Sequence, residues 1–366
     1  MTARPPAPMD DGRPVLVTGG AGFIGSNIAA RLADSGRDVI VYDSLARPGV
    51  ERNLEWLQWR HGKRIMPVLG DIRDAALLSD AVKQASAVFH MAAQVAVTTS
   101  LDDPRGDFEV NAIGTLNLLE AVRRRSDPPP VIFASTNKVY GDLADVALEL
   151  GTGGYAPVDR VIAGRGIGED RPLDFHTPYG CSKGAADQYV LDYARSFGIP
   201  AAVLRMSCIY GERQMGTEDQ GWVAHFLIRA MEGREITLYG DGHQVRDVLN
   251  VADAVDAYLA LWRNIGAASG HAFNLGGGPA NAVSLRQLIA HISDLLGREV
   301  KLGFAPWREG DQRYFVADTR RIDRALGLGG KVFWREGVAR LALWLADERT
   351  SGGPASPRLA IVGGVA

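Results

Sequence analysis

Cysteine is almost missing from this chain: two occur in 366 residues, Cys181 and Cys208, with no Cys-x-x-Cys pair and no His–Cys cluster at ligand spacing. Neither a disulfide framework nor a metal site is expected, and a reducing cytoplasm is the expected compartment. Long apolar runs are missing too. No stretch approaches the roughly 18 consecutive apolar residues of a membrane helix, and the opening "MTARPPAPMDDGR" has no apolar signal-peptide core. Secretion and a membrane association are therefore not expected. Nor does one charge dominate: 40 Lys and Arg against 43 Asp and Glu leave a formal net charge of -3, which offers nucleic acid no broad basic field. The local run Arg123-Arg124-Arg125 reads as a solvated helix end.

What is present is alternation. From Pro14 onward short β-rich runs ("VLVTGG", "DVIVYD", "IMPVLGD", "SAVFHMAA") exchange with helical patterns, as in "FIGSNIAARLADSG". This predicts an α/β fold, a parallel sheet covered by helices on both faces. One long helix is expected over "DFEVNAIGTLNLLEAVRRR", stopped by "DPPP" before the strand "VIFAST", and another from about Pro178 to Phe197. After the strand "PAAVLRMS" the pattern loosens into "CIYGERQMGTEDQGW", the composition of a binding loop on a rigid scaffold. The first dozen residues and the stretch after about Asp347 have weak periodicity and read as flexible.

Gly19, Gly22 and Gly25 in "VLVTGGAGFIGS" fall between a strand and a helix. The first permits a tight turn, the second a close backbone approach to a pyrophosphate, and the third close helix–strand packing. The helix start, with Phe23 and Ile24, offers unpaired N–H groups to the anion. Asp43 closes the second strand, where an acid accepts hydrogen bonds from both hydroxyls of an adenosine ribose and repels a 2'-phosphate, so NAD is favoured over NADP. Asp71, beside Ile72, stands where an acid can cap the adenine amino group or simply end a strand.

Tyr179 and Lys183 in "PYGCSK" are four residues apart and share a helix face. An ammonium beside a phenol favours phenolate, and the oxidised nicotinamide adds positive charge, so the tyrosine can act as a base well below its reference pKa of about 10. Ser135-Thr136, ending an earlier strand, completes the constellation.

With "TGGAGFIG", "GD" at 70–71, "HMAAQ", "NAIGT", "STNKVYG", "YGCSK", "VRDVLNVAD" and "REGD", the chain resembles the extended short-chain dehydrogenase/reductase superfamily of nucleotide-sugar epimerases and dehydratases over roughly residues 13 to 348. The resemblance implies a Rossmann-type, doubly wound sheet formed by 13–205 plus 251–277. A smaller, interleaved nucleotide-sugar-binding domain would comprise 206–250 plus 278–348, with flexible tails at 1–12 and 349–366. It also implies that Thr136 hydrogen-bonds the reacting hydroxyl, Tyr179 is the base, and Lys183 lowers its pKa and holds the nicotinamide ribose. Met91, Ala92, Asn111, Ser135 and Met206 would line the cofactor. Arg246 and Arg308 match the arginines that carry the diphosphate, although each could instead form a salt bridge, with Asp247 or Asp311 as partner. Thr237 and Tyr239 match positions flanking the nucleotide base, and an aromatic there could equally be core packing.

The dehydratase branch carries Asp-Glu after the Ser-Thr pair, because eliminating water across C5 and C6 needs an acid and a base. Asn137-Lys138 cannot supply them, so dehydration is disfavoured. "TNKVYGD", "RMSCIYGERQMGTEDQGWVAHF" and "LARPGVERNLEWL" are most similar to the CDP-paratose 2-epimerase (CDP-tyvelose epimerase) group. Cys208 fits as well, where UDP-galactose 4-epimerases have asparagine. The implied activity is NAD-dependent inversion at C2 of a nucleotide-diphosphate sugar, CDP favoured, by a homodimer. A UDP-hexose 4-epimerase and a non-catalytic NAD-binding protein are the alternatives.

Overall fold

The computed structural model describes residues 12–308 and 310–351. Four short strands, β1 (Val15–Thr18), β2 (Val39–Asp43), β3 (Ile65–Leu69) and β4 (Ala87–His90), join β5 (Val131–Thr136), Ala201–Met206 and Ala272–Leu275 in one seven-stranded sheet, every pairing parallel. β1 and β4 are buried along their whole length, as expected of strands covered on both faces. The strand period of two divides their side chains between two cores. Val15 and Val17 pack with the helices Phe23–Asp34 (α1) and Val251–Arg263, while Leu16 packs on the other face with Leu118, Leu119, Ala186 and Val190.

β1 lies between β2 and β4. The chain thus winds outward from β1 in both directions, and the helices that follow β1 and β4, α1 and Gly114–Arg123, pack on opposite faces, so a crevice is expected beyond the C-terminal ends of these two strands, the usual ligand position in such sheets. A separate core is built by the helices Trp222–Met231, Leu285–Leu296 and Trp334–Ser351 with Ile236 and Leu238. The strand Val245–Asn250 stands between these parts, paired with Cys208–Tyr210, Ala282–Ser284 and Tyr314–Phe315.

Three details depart from the sequence reading. The long helix over 107–125 is interrupted: Pro104–Phe108 passes through a π turn, Glu109–Ile113, before Gly114–Arg123. Such a bulge is invisible to a 3.6-residue periodicity, and the buried Asn111 lies within it. Arg125 is not simply solvated, because its guanidinium donates to the carbonyls of Val82 and Ala85 at 2.8 Å and closes the end of the helix Ala75–Gln84. The last helix continues through Ser351, beyond the expected tail boundary at 349. The remainder of the two expected tails, 1–11 and 352–366, lies outside the described residues. No helix among the described residues is long and apolar enough to cross a membrane.

Candidate active site

The crevice begins with the glycine turn. Gly19 has φ +66°, and a Cβ there would stand 2.6 Å from the Ala92 backbone nitrogen. Only glycine lets the turn after β1 touch the chain leaving β4. At Gly25 a Cβ would meet the Gly19 carbonyl oxygen at 2.1 Å, so the third glycine seats α1 against the turn. Gly22 is different: its Cβ position meets nothing but the Gly19 oxygen, at 3.1 Å. It is the N-cap residue of α1, with no side chain capping the helix and no acid in its first turn. The start of a twelve-residue helix is thus left free of competing anions, a cradle that fits a pyrophosphate. Gly20, which the sequence reading passed over, is equally constrained, with a Cβ position 2.7 Å from the Val17 oxygen.

Asp43 is held beside this turn by the Ala21 and Leu45 amides at 3.0 and 2.9 Å, with acceptor capacity remaining on each oxygen. Asp71 is more committed. Arg73 donates Nε to one carboxylate oxygen at 2.9 Å and Nη2 to the other at 2.7 Å, and that pairing holds the acid below its ordinary pKa. Ile72 is buried against Gly114. Met91 and Ala92 line the β4 side of the crevice, their amides directed at Thr18. Asn111 is fully buried and its amide binds Gln94, Asp107 and Ser182. Its side chain therefore supports the surrounding network, with 1% of the residue exposed toward any ligand. The Ser135 hydroxyl is likewise engaged, donating to Asp187 at 2.7 Å, and Met206 accepts from the Tyr258 hydroxyl at 3.2 Å.

The helix Thr177–Phe197 starts with Pro178 in its first turn and ends at Gly198 in the left-handed conformation. It presents Tyr179, Lys183 and Asp187 on one buried face. Lys183 donates Nζ to the Ala134 carbonyl at 2.7 Å and sits 4.2 Å from the Phe133 ring centre. Burial lowers its pKa to about 7, opposed by the charges of Asp187 and Asp107. Burial also pushes the Tyr179 phenol up to about 12, while a hydrogen bond with Thr136 pulls the other way. The Asp107 charge adds to the rise, so in these surroundings the neutral phenol is the favoured form. Thr136, Tyr179 and Lys183 are nevertheless brought together, and a substrate hydroxyl could be held between the threonine and the phenol.

A cavity of about 340 Å³ adjoins this group, lined by Asn137, Lys138, Cys208, Thr237, Tyr239, Arg246 and Arg308 among others. Asn137 donates to Gln312 at 3.1 Å, and Lys138 to the Gly310 carbonyl at 2.9 Å. Burial lowers the Lys138 ammonium to about 8, opposed by Asp311. Cys208 accepts from the Trp222 indole at 3.3 Å, and burial raises its thiol. Arg246, 7% exposed, pairs with Asp311 at 2.6 Å and also donates to the Gln312 carbonyl. Arg308 lies over the Tyr239 ring at 3.7 Å and pairs with Glu218 and Asp219 at 3.3 and 3.4 Å. The salt bridges left open by the sequence thus form, that of Arg246 with Asp311 and that of Arg308 with two loop acids, while both guanidinium groups still border the cavity.

Residues 15–276 match the family model described as "NAD dependent epimerase/dehydratase family". The chain belongs to this family. As a member, it is an NAD-dependent enzyme, and the glycine cradle with Asp43 fits that cofactor. It is 43% identical to "CDP-paratose 2-epimerase" of Salmonella typhi over 91% of this chain and 99% of that protein. It is 32% identical to "Putative UDP-glucose 4-epimerase" of Methanocaldococcus jannaschii over 91% and 98%. Among solved structures, the UDP-glucose 4-epimerase of Thermus thermophilus in complex with NAD is similar with a TM-score of 0.76 and 32% identity, covering 90% of this chain and 98% of that one.

This epimerase/dehydratase family member also contains site residues that the sequence reading missed. Asp187 extends the Tyr179–Lys183 spacing by one more step of four and takes a fork of bonds from Arg205 at 2.9 Å. Its helical register was legible, but its arginine partner, on another strand, was not. Glu218 and Asp219 were legible only as members of a binding loop, and Gln312 had no local signal, since only the folded chain carries them to the cavity or to Asn137.

Proposed function

We propose that the enzyme inverts C2 of a CDP-linked deoxyhexose of the paratose type by oxidation, rotation of the 2-keto sugar and reduction from the opposite face. The observation that carries this reading is the pair Asn137-Lys138 beside Thr136, where neither residue is a carboxylic acid and both are tied down, to Gln312 and Gly310. Elimination of water needs an acid and a base there, so epimerisation is the chemistry that remains. The extent and level of identity to the Salmonella typhi enzyme favour C2 over C4.

In this reading Gly19, Gly22, Phe23, Ile24, Gly25 and Asp43 would hold NAD, which when bound would supply the hydride acceptor and donor. Thr136 orients the C2 hydroxyl, Tyr179 takes and returns its proton, and Lys183 favours the phenolate. Arg246 and Arg308 hold the diphosphate, and Lys138 and Asn137 hold sugar oxygens. Residues 13–205 with 251–277 serve the cofactor, while 206–250 with 278–348 serve the nucleotide sugar. Exposed Phe108, Ile113, Tyr189 and Phe197 on the two long helical stretches support a homodimer through that face. Two unpaired cysteines fit a cytoplasmic location.

The test is a CDP-sugar deuterated at C2, alongside one deuterated at C4. Epimerisation at C2 slows turnover of the first substrate alone, and the label stays at C2 of the product in light or heavy water. A slowed C4-labelled substrate would favour the 4-epimerase, and loss of the C2 label to solvent would indicate deprotonation beside a carbonyl.

A further inference from the structure

The cavity has two chemically different ends. Asn137, Lys138 and Arg246 lie at the end next to Thr136, where the sugar and diphosphate are placed by the proposed function, on which this inference rests. The nucleoside then falls against the remaining wall, built by the strand Ile236–Tyr239, the loop 217–221 and the aromatic side chains of Trp222 and Phe226.

That wall has spent most of its donors and kept its acceptors. The Tyr239 hydroxyl donates to Glu218, the Trp222 indole to Cys208, and the Gln244 side-chain amide to the Tyr239 carbonyl at 2.7 Å. Arg308 directs Nη1 at the Glu218 carbonyl and Nη2 at the carboxylates of the same loop. On the acceptor side, the Glu218 and Asp219 side chains are 46% and 47% exposed. Gln244, only 3% exposed, lines the same cavity with its Oε1 unpartnered, and so does the Oε1 of Gln220. A buried, unpartnered acceptor beside two open carboxylates calls for a ligand edge that donates.

Pyrimidine bases differ at position 4: cytosine presents an amino donor there, and uracil and thymine present a carbonyl acceptor. We propose that Glu218 is the residue that selects a cytidine nucleotide over a uridine or thymidine one, by accepting a hydrogen bond from the 4-amino group. Glu218 rather than Asp219 carries this role because two partners, the Tyr239 hydroxyl and Arg308, fix its carboxylate, whereas Asp219 meets Arg308 alone. Arg308 serves both ends, because Nη1 and Nη2 meet the loop while its Nε takes no part in those contacts, and its charge keeps the diphosphate it holds from facing the loop acids unshielded.

The experiment is calorimetric titration of the NAD-bound protein with CDP and with UDP, in the wild type and in Glu218→Gln. The carboxamide keeps the shape but lowers acceptor strength and can offer its own N–H to a 4-carbonyl. The expected result is wild-type preference for CDP and a ratio reduced at least about tenfold in the variant, with CDP binding weakened and UDP binding gained. A merely structural role through Arg308 would weaken both nucleotides alike and leave the ratio unchanged, and that result overturns the proposal. Glu218→Ala, which can neither accept nor donate, should also lose the preference without gaining UDP. Equal binding of the two nucleotides by the wild type overturns this inference alone, and binding of neither overturns the proposed function with it.

Discussion

Lys183 donates its ammonium to the carbonyl of Ala134 at 2.7 Å, so the helix that carries Tyr179 is tied directly to the strand that ends in Thr136. The same contact places a lysine in a dry site, 3% exposed, and this gives stability a pH dependence. Its pKa falls from the ordinary 10.5 to about 7 on folding. Between those values the unfolded chain binds the proton and the folded chain does not, so this group makes the protein more stable as pH rises from about 7 toward 10.5, and adds nothing further below 7. Urea unfolding of the wild type and of Lys183→Met across that range should show the variant losing ground to the wild type as pH rises, by a total on the order of a few kcal/mol. Parallel curves would mean that the lysine is not desolvated.

Tyr179→Phe removes a single oxygen. Turnover is expected to fall by about 10²–10⁴, while bound NAD is retained and the melting temperature moves by a few degrees at most. Release of cofactor from denatured protein, measured beside activity, checks both halves. Near-normal turnover would place the base elsewhere.

The Arg205–Asp187 pair lies beneath the catalytic strand, 5% and 0% exposed at the side chains, with Ser135 and Tyr140 as further partners. Burial works against the Arg205 charge, but the bonds and charge of Asp187 outweigh it and hold its pKa raised. Asp187→Leu leaves the guanidinium uncompensated and is expected to cost about 3–5 kcal/mol. Adding Arg205→Met should recover a large part of that loss, as read from denaturant midpoints.

Gly19→Ala combines a φ of +66° with a Cβ 2.6 Å from the Ala92 nitrogen. Strain of this kind is expected to cost about 2 kcal/mol or more and, because it displaces the cradle, to lower the NAD content of purified protein. Gly36→Ala, whose added Cβ meets nothing within 4 Å although its φ is +93°, is the comparison: it carries the backbone strain without touching the crevice, so NAD content should stay at the wild-type level.

Local pattern determined much of this protein. Apolar runs bounded by turn residues announced the parallel strands, and the glycine spacing with Asp43 marked the cofactor turn, because backbone conformation and helix register are short-range properties. The four-residue step from Tyr179 to Lys183 was likewise legible within one helix. What only the tertiary structure decided depends on neighbours distant in the chain. Burial raises the Tyr179 phenol. Asp311, 65 residues on, claimed Arg246, and Gln312, 175 residues on, claimed Asn137. The stretch around Glu218, legible in the sequence only as a binding loop, became an acceptor-lined wall when Tyr239 and Arg308 folded against it. Desolvation and ion pairing are set by whatever surrounds a side chain in space, and no spacing along the sequence encodes those surroundings.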